Sequence, residues 1–367
     1  MDVEAWTAAG LYDADAPEAD ERRELLEFLT GQGCSVEEMQ AAHERGRLFA
    51  LAGDRLIRPD RDQHTLAEVA EVVGADVDDV RAVWRAFGLI DPGADTPVAS
   101  PADVDMIRLH FEMASLFGFD GSLGMARVMG GAMARIGDAS STMVRGRLPA
   151  MSVAVSGSEL TTAQAFAAVA AYVPRLGQTI DTLFRHHLES ARMHFERTES
   201  WDVVGDGGIR VGVGFADLCG FTGLTQQLKL EQLSQLLTRF EEVASEVVHD
   251  HGARLVKFIG DAVMYVATDA VTAVAVADAL LEAAQERGMT ARAGVTVGTA
   301  LALDGDYFGP VVNLAARLVA LADPGAVLIS QPVVERLNGR RELVELGPQH
   351  IRGFDDPVHV SRLDPVG

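Results

Sequence analysis

Two aspartates, Asp217 and Asp261, stand where predicted strands end, and strand ends can hold a pair of carboxylates rigidly. The run VGVGFAD at 211–217 predicts a short buried strand, and RLVKFIGDAVMYVA at 254–267 predicts two strands joined by a tight turn at Gly260 and Asp261. Carboxylates that converge in this way suit magnesium or manganese carrying nucleotide phosphates, because these hard cations prefer oxygen ligands. Each aspartate alone could equally be a turn or cap residue; together, beside glycines, they favour metal ligands.

A second motif, GFTGLT at 220–225, follows Asp217 closely and is predicted to begin a helix. Free backbone N–H groups at this start, around Phe221 and Thr222, would hold the β- and γ-phosphates of a nucleotide with help from the helix dipole. Glycines are also common at ordinary strand-to-helix turns, so this motif alone identifies no ligand.

The third motif, DYFGPVVNLAAR, covers residues 306–317. If Pro310 opens a helix, Asn313 and Arg317 lie four residues apart on one face of that helix. An exposed helix with an ordinary arginine would show the same spacing.

These candidates all fall in residues 209–367, where predicted strands alternate with predicted helices. The order is β-α-β-β-α-β, which is that of a ferredoxin-like α+β domain and places Asp217 beside the turn at Gly260 and Asp261. Residues 1–197 instead show apolar positions three and four apart, which predicts an all-α domain. The polar stretch 198–208 is the predicted linker between the two domains.

Residues 64–109 of the helical half have the rhythm of a helix-turn-helix. Such a segment would suggest DNA binding. A recognition helix, however, needs a cationic surface to approach the DNA phosphates. The predicted second helix carries three acids against two bases, namely Asp76, Asp78 and Asp79 against Arg81 and Arg85. We therefore expect a protein contact rather than a DNA contact.

The composition narrows the possible functions further. The chain has 367 residues, a net charge of −23 and two cysteines, Cys34 and Cys219. The negative charge disfavours nucleic acid and anionic membrane surfaces as partners, and neither a charged leader nor a run of about 18 apolar residues indicates a membrane segment. Two distant cysteines fit a reducing compartment, so we expect a cytoplasmic location.

Together the three motifs, FADLCGFTGLT, VKFIGDAVM and GDYFGPVVNLAARL, resemble the catalytic domain of the class III adenylyl cyclases in order and separation, over roughly residues 208–364. The resemblance implies that Asp217 and Asp261 bind two metal ions per site, Mg²⁺ or Mn²⁺. It also implies that Lys257 and Asp306 read the base, and that ATP becomes cyclic AMP and pyrophosphate.

The choice of base also has a physical argument. Lys257 can donate to N1 of adenine, and Asp306 can accept from its 6-amino group. Guanine would set an N–H against the ammonium and a carbonyl against the carboxylate, and each buried mismatch costs about 1–3 kcal/mol. ATP is therefore the expected substrate.

The same resemblance implies roles for three more residues. Asn313 and Arg317 would stabilise the transition state, and Arg352, in HIRGF, would bind the triphosphate. No side-chain base is needed for in-line attack of the ribose 3′-oxygen on the α-phosphorus. Because each site of this family is built from two catalytic domains packed head to tail, we expect a homodimer. Asp217 and Asp261 of one subunit would face four residues of the other across the interface, namely Lys257, Asp306, Asn313 and Arg317.

Residues 1–197 resemble the regulatory domain that precedes the catalytic domain in some actinobacterial adenylyl cyclases. This resemblance implies autoinhibition, with a pH response in some relatives. His186, His187 and His194 fall on the last predicted helix of this half, and histidine titrates in the physiological range. Surface or satisfied core histidines would show the same pattern.

Two other functions stay open at this point. A pseudo-cyclase signalling module would keep the fold without the chemistry, and the complete set of site residues argues against it. A transcription regulator would use the helix-turn-helix segment and sense a nucleotide with the C-terminal domain. The negative charge of the chain argues against that alternative.

Overall fold

The computed structural model describes residues 3–60, 63–93, 96–197 and 208–363, apart from the side chains of residues 193–197 and 222. The chain divides into two compact units, Met1–Glu189 and Ser190–Gly367, and each unit has hydrophobic cores of its own. Most of the predicted linker, 198–207, lies outside the described residues. Its last predicted residue, Gly208, instead opens the first strand of the C-terminal unit, where it pairs with a neighbouring strand.

The N-terminal unit is helical, which confirms the predicted all-α architecture. Its helices are α1 (Val3–Ala8), α2 (Ala19–Gly31), α3 (Val36–Glu44), α4 (Leu51–Ile57), α5 (Leu66–Val73), α6 (Val77–Ala86), α7 (Pro101–Phe117), α8 (Phe119–Arg147), α9 (Val153–Ser156), α10 (Glu159–Ala170) and α11 (Val173–Arg197), with 3₁₀ turns at Leu48–Ala50 and Pro149–Met151. Although α8 and α11 are long, no helix in the described ranges combines the length and the apolar composition needed to cross a membrane.

The helix-turn-helix segment appears as α5 and α6, followed by α7. Thr65 begins α5 with a capping box, in which its side chain accepts from the backbone of Glu68 and the Glu68 side chain accepts in return. Gly74 ends α5 in the left-handed conformation, with φ at 71°, which turns the chain toward Asp76 at the start of α6. Local capping therefore determines this turn.

The C-terminal unit is built on an eight-stranded mixed sheet in the order β2-β3-β1-β4-β6-β8-β7, with β5 paired to β4. The strands are β1 (Gly208–Leu218), β2 (Arg254–Ile259), β3 (Ala262–Ala267), β4 (Ala291–Leu303), β5 (Asp306–Phe308), β6 (Val327–Ser330), β7 (Leu343–Gln349) and β8 (Val358–Leu363). The helices are α12 (Phe221–Gln227), α13 (Leu230–Asp250), α14 (Ala270–Glu286), α15 (Pro310–Leu321) and α16 (Gln331–Leu337).

The predicted ferredoxin-like order is confirmed by β1, α13, β2, β3, α14 and β4. Strand β3 lies between β1 and β2 and is antiparallel to both. The observed β1 is longer than the predicted strand at 211–217, because its first residues pair with the far end of β4. Beyond β4, β6 and β8 extend the sheet, and β5 precedes α15.

Helices cover both faces of this sheet. Residues of α13, α14 and α16 pack with the strands on one face, and α15 packs against β1, β3 and β4 on the other. The approach of α15 to β4 is close, since a Cβ at Gly294 would lie 2.4 Å from the backbone nitrogen of Val319 and 2.7 Å from the carbonyl oxygen of Ala315. A glycine is therefore required where α15 crosses β4.

Candidate active site

The structure brings Asp217 and Asp261 together at one end of the central strands. Asp217, near the end of β1, is paired in the sheet with Ala262 at the start of β3. The backbone N–H of Leu218 donates to the carbonyl oxygen of Asp261 at 3.2 Å. Burial raises the pKa of Asp261, and repulsion from the negative charge of Asp217 raises it further, to about 6.

A divalent cation fits this pair of carboxylates. A positive ion between two like charges relieves their repulsion, and carboxylate oxygens are ligands that Mg²⁺ and Mn²⁺ prefer. Among the described residues, no group of three or more His, Cys, Asp and Glu side chains could enclose a metal ion. Because Mg²⁺ takes an octahedral set of oxygen ligands, a cation held by Asp217 and Asp261 would keep coordination positions for phosphate oxygens and water.

Arg292, near the start of β4, is a third charged residue of this site that the sequence motifs did not single out. It lies opposite Asp217 in the register of β1 and β4, and its Nη2 donates to Asp217 Oδ2 at 3.0 Å. Its Nη1 donates to the carbonyl oxygens of Ala320 at 3.2 Å and Ala322 at 3.3 Å, at the end of α15. The sequence showed only that a basic residue stands inside the predicted fourth strand. The pairing of β1 with β4 identifies Asp217 as its partner.

The motif GFTGLT begins a helix, as its spacing predicted. Gly220 has φ at 75° and precedes α12, whose first residue is Phe221. No side chain caps this helix start, while the side chain of Phe221 packs against the hydrophobic core beneath the sheet. A contact of Phe221 with substrate would therefore involve its backbone. The side chain of Thr222, which was also predicted to contribute, lies outside the described part of the chain.

Lys257 and Asp306 form a direct ion pair, in which Lys257 Nζ donates to Asp306 Oδ2. The other carboxylate oxygen, Asp306 Oδ1, accepts from the backbone N–H of Tyr307 at 2.8 Å. Both side chains remain partly exposed, Lys257 at 39% and Asp306 at 25%, so a ligand can reach them. The two residues predicted to read the base are thus neighbours in one subunit.

An irregularity in β2 directs Lys257 toward Asp306. Leu255 and Phe258 are three residues apart, yet both pack against the core on the α13 side of the sheet. A regular strand would point them to opposite faces. The register of β2 against β3 shifts between Leu255 and Lys257, and such a bulge reorients the side chains that follow it.

Asn313 and Arg317 lie on α15, which opens at Pro310 as predicted. Both are exposed, whereas Val311 and Ala315 of the same helix are buried against the sheet. Within the described residues, neither Asn313 nor Arg317 makes a hydrogen bond or an ion pair with Asp217 or Asp261. Within the described part of one chain, Asn313 and Arg317 therefore form no polar contact with the two aspartates.

Arg352 lies in the turn between β7 and β8, directly after the buried Ile351. Its side chain is exposed. Burial of Ile351 in a small core with residues of α15 and β8 fixes this turn, while Arg352 itself projects toward solvent, where a phosphate could reach it.

The N-terminal unit contains a buried histidine that the sequence patterns missed, His110 on α7. It is 5% exposed, and the hydroxyl of Ser122 lies 3.2 Å from its Nδ1. The rings of Phe87, Phe111 and Phe119 surround it at centroid distances of 6.2, 5.6 and 6.0 Å. Burial among these rings lowers the pKa of His110, because a charged imidazolium loses its hydration there.

The histidines singled out from the sequence have a different environment. His186 and His187 are exposed on α11. The side chain of His194, on the same helix, lies outside the described residues. The buried His110 therefore lies on α7, whereas the two described histidines of α11 are exposed.

Comparisons with known proteins agree with this fold. The family described as "Adenylate cyclase regulatory domain" matches residues 7–192, and the family described as "Adenylate and Guanylate cyclase catalytic domain" matches residues 208–361. The chain therefore belongs to the adenylate cyclases in which that regulatory domain precedes a class III cyclase catalytic domain.

Similar proteins resemble this chain along both units. An uncharacterized protein of Mycobacterium tuberculosis is 45% identical over 99% of this chain and 94% of its own length. An adenylate cyclase of Streptomyces coelicolor is 31% identical over 80% of this chain and 77% of its own length. A pH-sensitive adenylate cyclase of Mycobacterium tuberculosis is 29% identical over 94% of this chain and 88% of its own length.

Proposed function

We propose that this enzyme converts ATP into 3′,5′-cyclic AMP and pyrophosphate by in-line attack of the ribose 3′-oxygen on the α-phosphorus. The observation that carries the choice of ATP is the pairing of Lys257 with Asp306. A donor and an acceptor side by side match the acceptor N1 and the donor 6-amino group of adenine. Guanine reverses both groups, and each unpaired buried group would cost about 1–3 kcal/mol.

Asp217 and Asp261 would hold two Mg²⁺ or Mn²⁺ ions in each site. When bound, such ions lower the pKa of a hydroxyl nucleophile and neutralise the leaving pyrophosphate. Arg292 keeps the Asp217 carboxylate in place through its hydrogen bond of 3.0 Å. Since the pKa of Asp261 is raised to about 6, protons compete with metal for this carboxylate below that pH.

The remaining site residues would bind the phosphates and the transition state. The start of α12 at Phe221 and Thr222 offers backbone N–H groups that no side chain caps, and Arg352 offers an exposed guanidinium. Arg317 would meet the charge that develops on the α-phosphoryl group, and Asn313 would help to stabilise the same transition state. No side-chain base takes part in this scheme.

We further propose that each active site is shared by two subunits of a head-to-tail homodimer. Asp217 and Asp261 of one subunit would face the other four residues across the interface, namely Lys257, Asp306, Asn313 and Arg317. The exposure of Asn313 and Arg317 on the outer face of α15 supports this arrangement. A twofold axis would then create two equivalent sites.

Cyclic nucleotide production from ATP and from GTP by the full chain, with Mn²⁺ present, tests the reaction. We expect cyclic AMP from ATP and at least about a tenfold lower rate from GTP. A confirmed dimer that makes no product from either nucleotide would contradict the proposed reaction. A preference for GTP would contradict the choice of ATP and the role of Lys257 and Asp306, but not the cyclisation itself.

Complementation between inactive variants tests the shared site. Asp217→Ala and Arg317→Ala should each abolish activity, because either change removes a required residue from both sites of the homodimer. Mixed in equal amounts and allowed to exchange subunits, they should recover about a quarter of wild-type activity, since half of the dimers regain one site. Asp217→Ala mixed with Asp261→Ala is the matched control, because both changes remove the same half and no site is restored.

We propose that the N-terminal unit restrains the catalytic domain and makes the activity depend on pH. The likeness to a relative that is named a pH-sensitive adenylate cyclase supports this, as does the buried His110 among aromatic rings. The test compares the full chain with residues 205–367 across about pH 5.5–8, the range where histidine titrates. A full chain as active as the fragment at every pH would contradict this regulation.

The helix-turn-helix segment is proposed to contact protein and not DNA. Arg81 and Arg85 of α6 both pair with Asp91, at 3.4 and 2.7 Å, so part of their positive charge is already compensated. A DNA mobility-shift measurement at low salt should show no complex. A salt-sensitive complex that Arg85→Ala weakens would contradict this.

We also propose a cytoplasmic location. Both cysteines, Cys34 and Cys219, are free thiols, and burial raises the pKa of Cys34 to about 11, which makes it unreactive. Thiols that stay reduced fit a reducing compartment. Cell fractionation tests this, and recovery in a membrane or secreted fraction would contradict it.

A further inference from the structure

The end of helix α15 is held by Arg292 of β4. The last carbonyl oxygens of a helix have no partner within the helix. At the end of α15, two such oxygens, on Ala320 and Ala322, accept from Arg292 Nη1 at 3.2 and 3.3 Å. The last turn of α15 contains no basic residue, so a residue of another element supplies the positive charge that stabilises a helix C-terminus.

The same guanidinium holds the Asp217 carboxylate, since Arg292 Nη2 donates to Asp217 Oδ2 at 3.0 Å. The Nε of Arg292 is buried and has no hydrogen-bond partner among the described residues, so the two terminal nitrogens make the contacts that fix the group. A guanidinium is planar and rigid. Movement of either partner therefore displaces the donor that the other partner needs.

Apolar packing also holds α15, but in a different way. Leu318 and Val319 are buried in the cores on that face of the sheet. Such contacts fix the distance of the helix from the sheet, and they are non-directional. The hydrogen bonds to Ala320 and Ala322 add a direction, and they relate the end of α15 to the Asp217 carboxylate.

The proposed transition-state residue Arg317 lies close to the end that Arg292 holds. It precedes Ala320 by three residues, which is less than one helical turn. In the proposed head-to-tail homodimer, Asp217 and Arg317 of one chain belong to different sites. Arg292 thus contacts the metal-binding carboxylate of one site and the helix that serves the other site.

We propose that Arg292 is a positioning residue for both active sites of the homodimer. It orients the Asp217 carboxylate in one site and, through the end of α15, places Arg317 in the other. This inference rests on the proposed sharing of each site between two subunits. Removal of Arg292 from one subunit should then weaken metal binding in the site that uses its Asp217 and slow the reaction in the site that uses its Arg317.

The test uses dimers that contain one working site. In a mixture of Asp217→Ala and Arg317→Ala chains, that site combines Asp217 of the second chain with Arg317 of the first. Arg292→Met is added either to the Arg317→Ala chain, beside the working Asp217, or to the Asp217→Ala chain, where Arg292 has only the end of α15 left to hold. Arg287→Met is the matched control in both positions, because it breaks an exposed ion pair with Glu246, at 2.8 Å.

We expect a different effect in each position. Beside the working Asp217, Arg292→Met should raise the Mn²⁺ concentration for half-maximal activity about tenfold. In the chain that supplies Arg317, it should lower the rate at saturating ATP and Mn²⁺ about tenfold and leave that Mn²⁺ concentration within about twofold. Arg287→Met should leave both values within about twofold of the unmodified mixture. A silent Arg292→Met in the chain that supplies Arg317 would overturn the inference.

Hydrogen exchange in the metal-free full chain measures the hold on α15 without turnover. Arg292→Met should speed exchange of the backbone amides at 318–322 about tenfold and leave those at 313–316 within about twofold. Arg287→Met should change neither segment. Equal exchange at 318–322 in wild type and Arg292→Met would show that the inference is wrong, whatever the activity.

These measurements separate the inference from the proposed shared site. An unmodified mixture without activity contradicts the shared site itself, whereas an active mixture with a silent Arg292→Met contradicts only the role of Arg292 at the second site. If Arg292→Met does not fold, Arg292→Lys takes its place in every arm. Lysine keeps the charge beside Asp217 but has one nitrogen where arginine has a fork of two, so the same contrasts should appear with smaller fold-changes.

Discussion

Replacing Gly294 by alanine should displace the helix that carries Asn313 and Arg317. A Cβ at this position would lie 2.4 Å from the backbone nitrogen of Val319 and 2.7 Å from the carbonyl oxygen of Ala315. These are backbone atoms of α15, so no side-chain rotation relieves the overlap. Because nonbonded atoms separate to about 3.5 Å, α15 must move away from β4 by about 1 Å.

A shift of this size should reduce catalysis more than stability. Overpacking of a well-packed contact costs about 1–3 kcal/mol of unfolding free energy, whereas a misplacement of about 1 Å at a reacting centre costs about 100-fold in rate. Asn313 and Arg317 move with α15, and so do the carbonyl oxygens that hold Arg292. We therefore expect Gly294→Ala to remain folded and to lose about 100-fold in kcat.

Gly298→Ala is the matched control on the same strand and under the same helix. The nearest atoms to its Cβ would be the side-chain carbons of Val311, at 3.2 and 3.4 Å, and a side chain can yield by the few tenths of an ångström required. Its kcat should stay within about threefold of wild type. Cyclic AMP production at saturating ATP and thermal unfolding are measured for both variants. A stable Gly294→Ala enzyme with the kcat of Gly298→Ala would refute the reasoning.

Three further predictions concern charge, pH and packing. Arg292→Met should raise the Mn²⁺ concentration for half-maximal activity by about tenfold, because Asp217 loses its orienting donor, and an unchanged metal requirement would contradict this. His110 has a lowered pKa in the folded state, so the unfolded chain binds more protons below about pH 6.5 and stability falls as the pH falls; His110→Gln should flatten that decline in melting temperature. Gly130→Ala would place a Cβ 2.4 Å from the carbonyl oxygen of Phe87 and should destabilise by about 1–3 kcal/mol in denaturant unfolding, whereas an unaltered midpoint would argue against this close approach.

Local patterns in the sequence were sufficient to predict most of the elements that carry the site, but not β5, which carries Asp306. Glycine at 260 allows the tight turn between β2 and β3, where its φ is 64°, and proline at 310 opens α15 as its fixed φ predicts. Alternating and helical periodicities gave the ferredoxin-like order, because each depends only on residues near one another in the chain. The convergence of Asp217 and Asp261 follows from that order, since β1 pairs with β3 directly.

Contacts between distant residues were decided by the tertiary structure alone. The shift in β2 that directs Lys257 toward Asp306 breaks the two-residue period on which strand prediction rests. The salt bridge from Arg292 to Asp217 joins residues 75 positions apart and depends on the register of β1 with β4. Spacing within one strand does not fix its register with a strand that is distant in the chain, because that register also depends on the packing of side chains from separate segments.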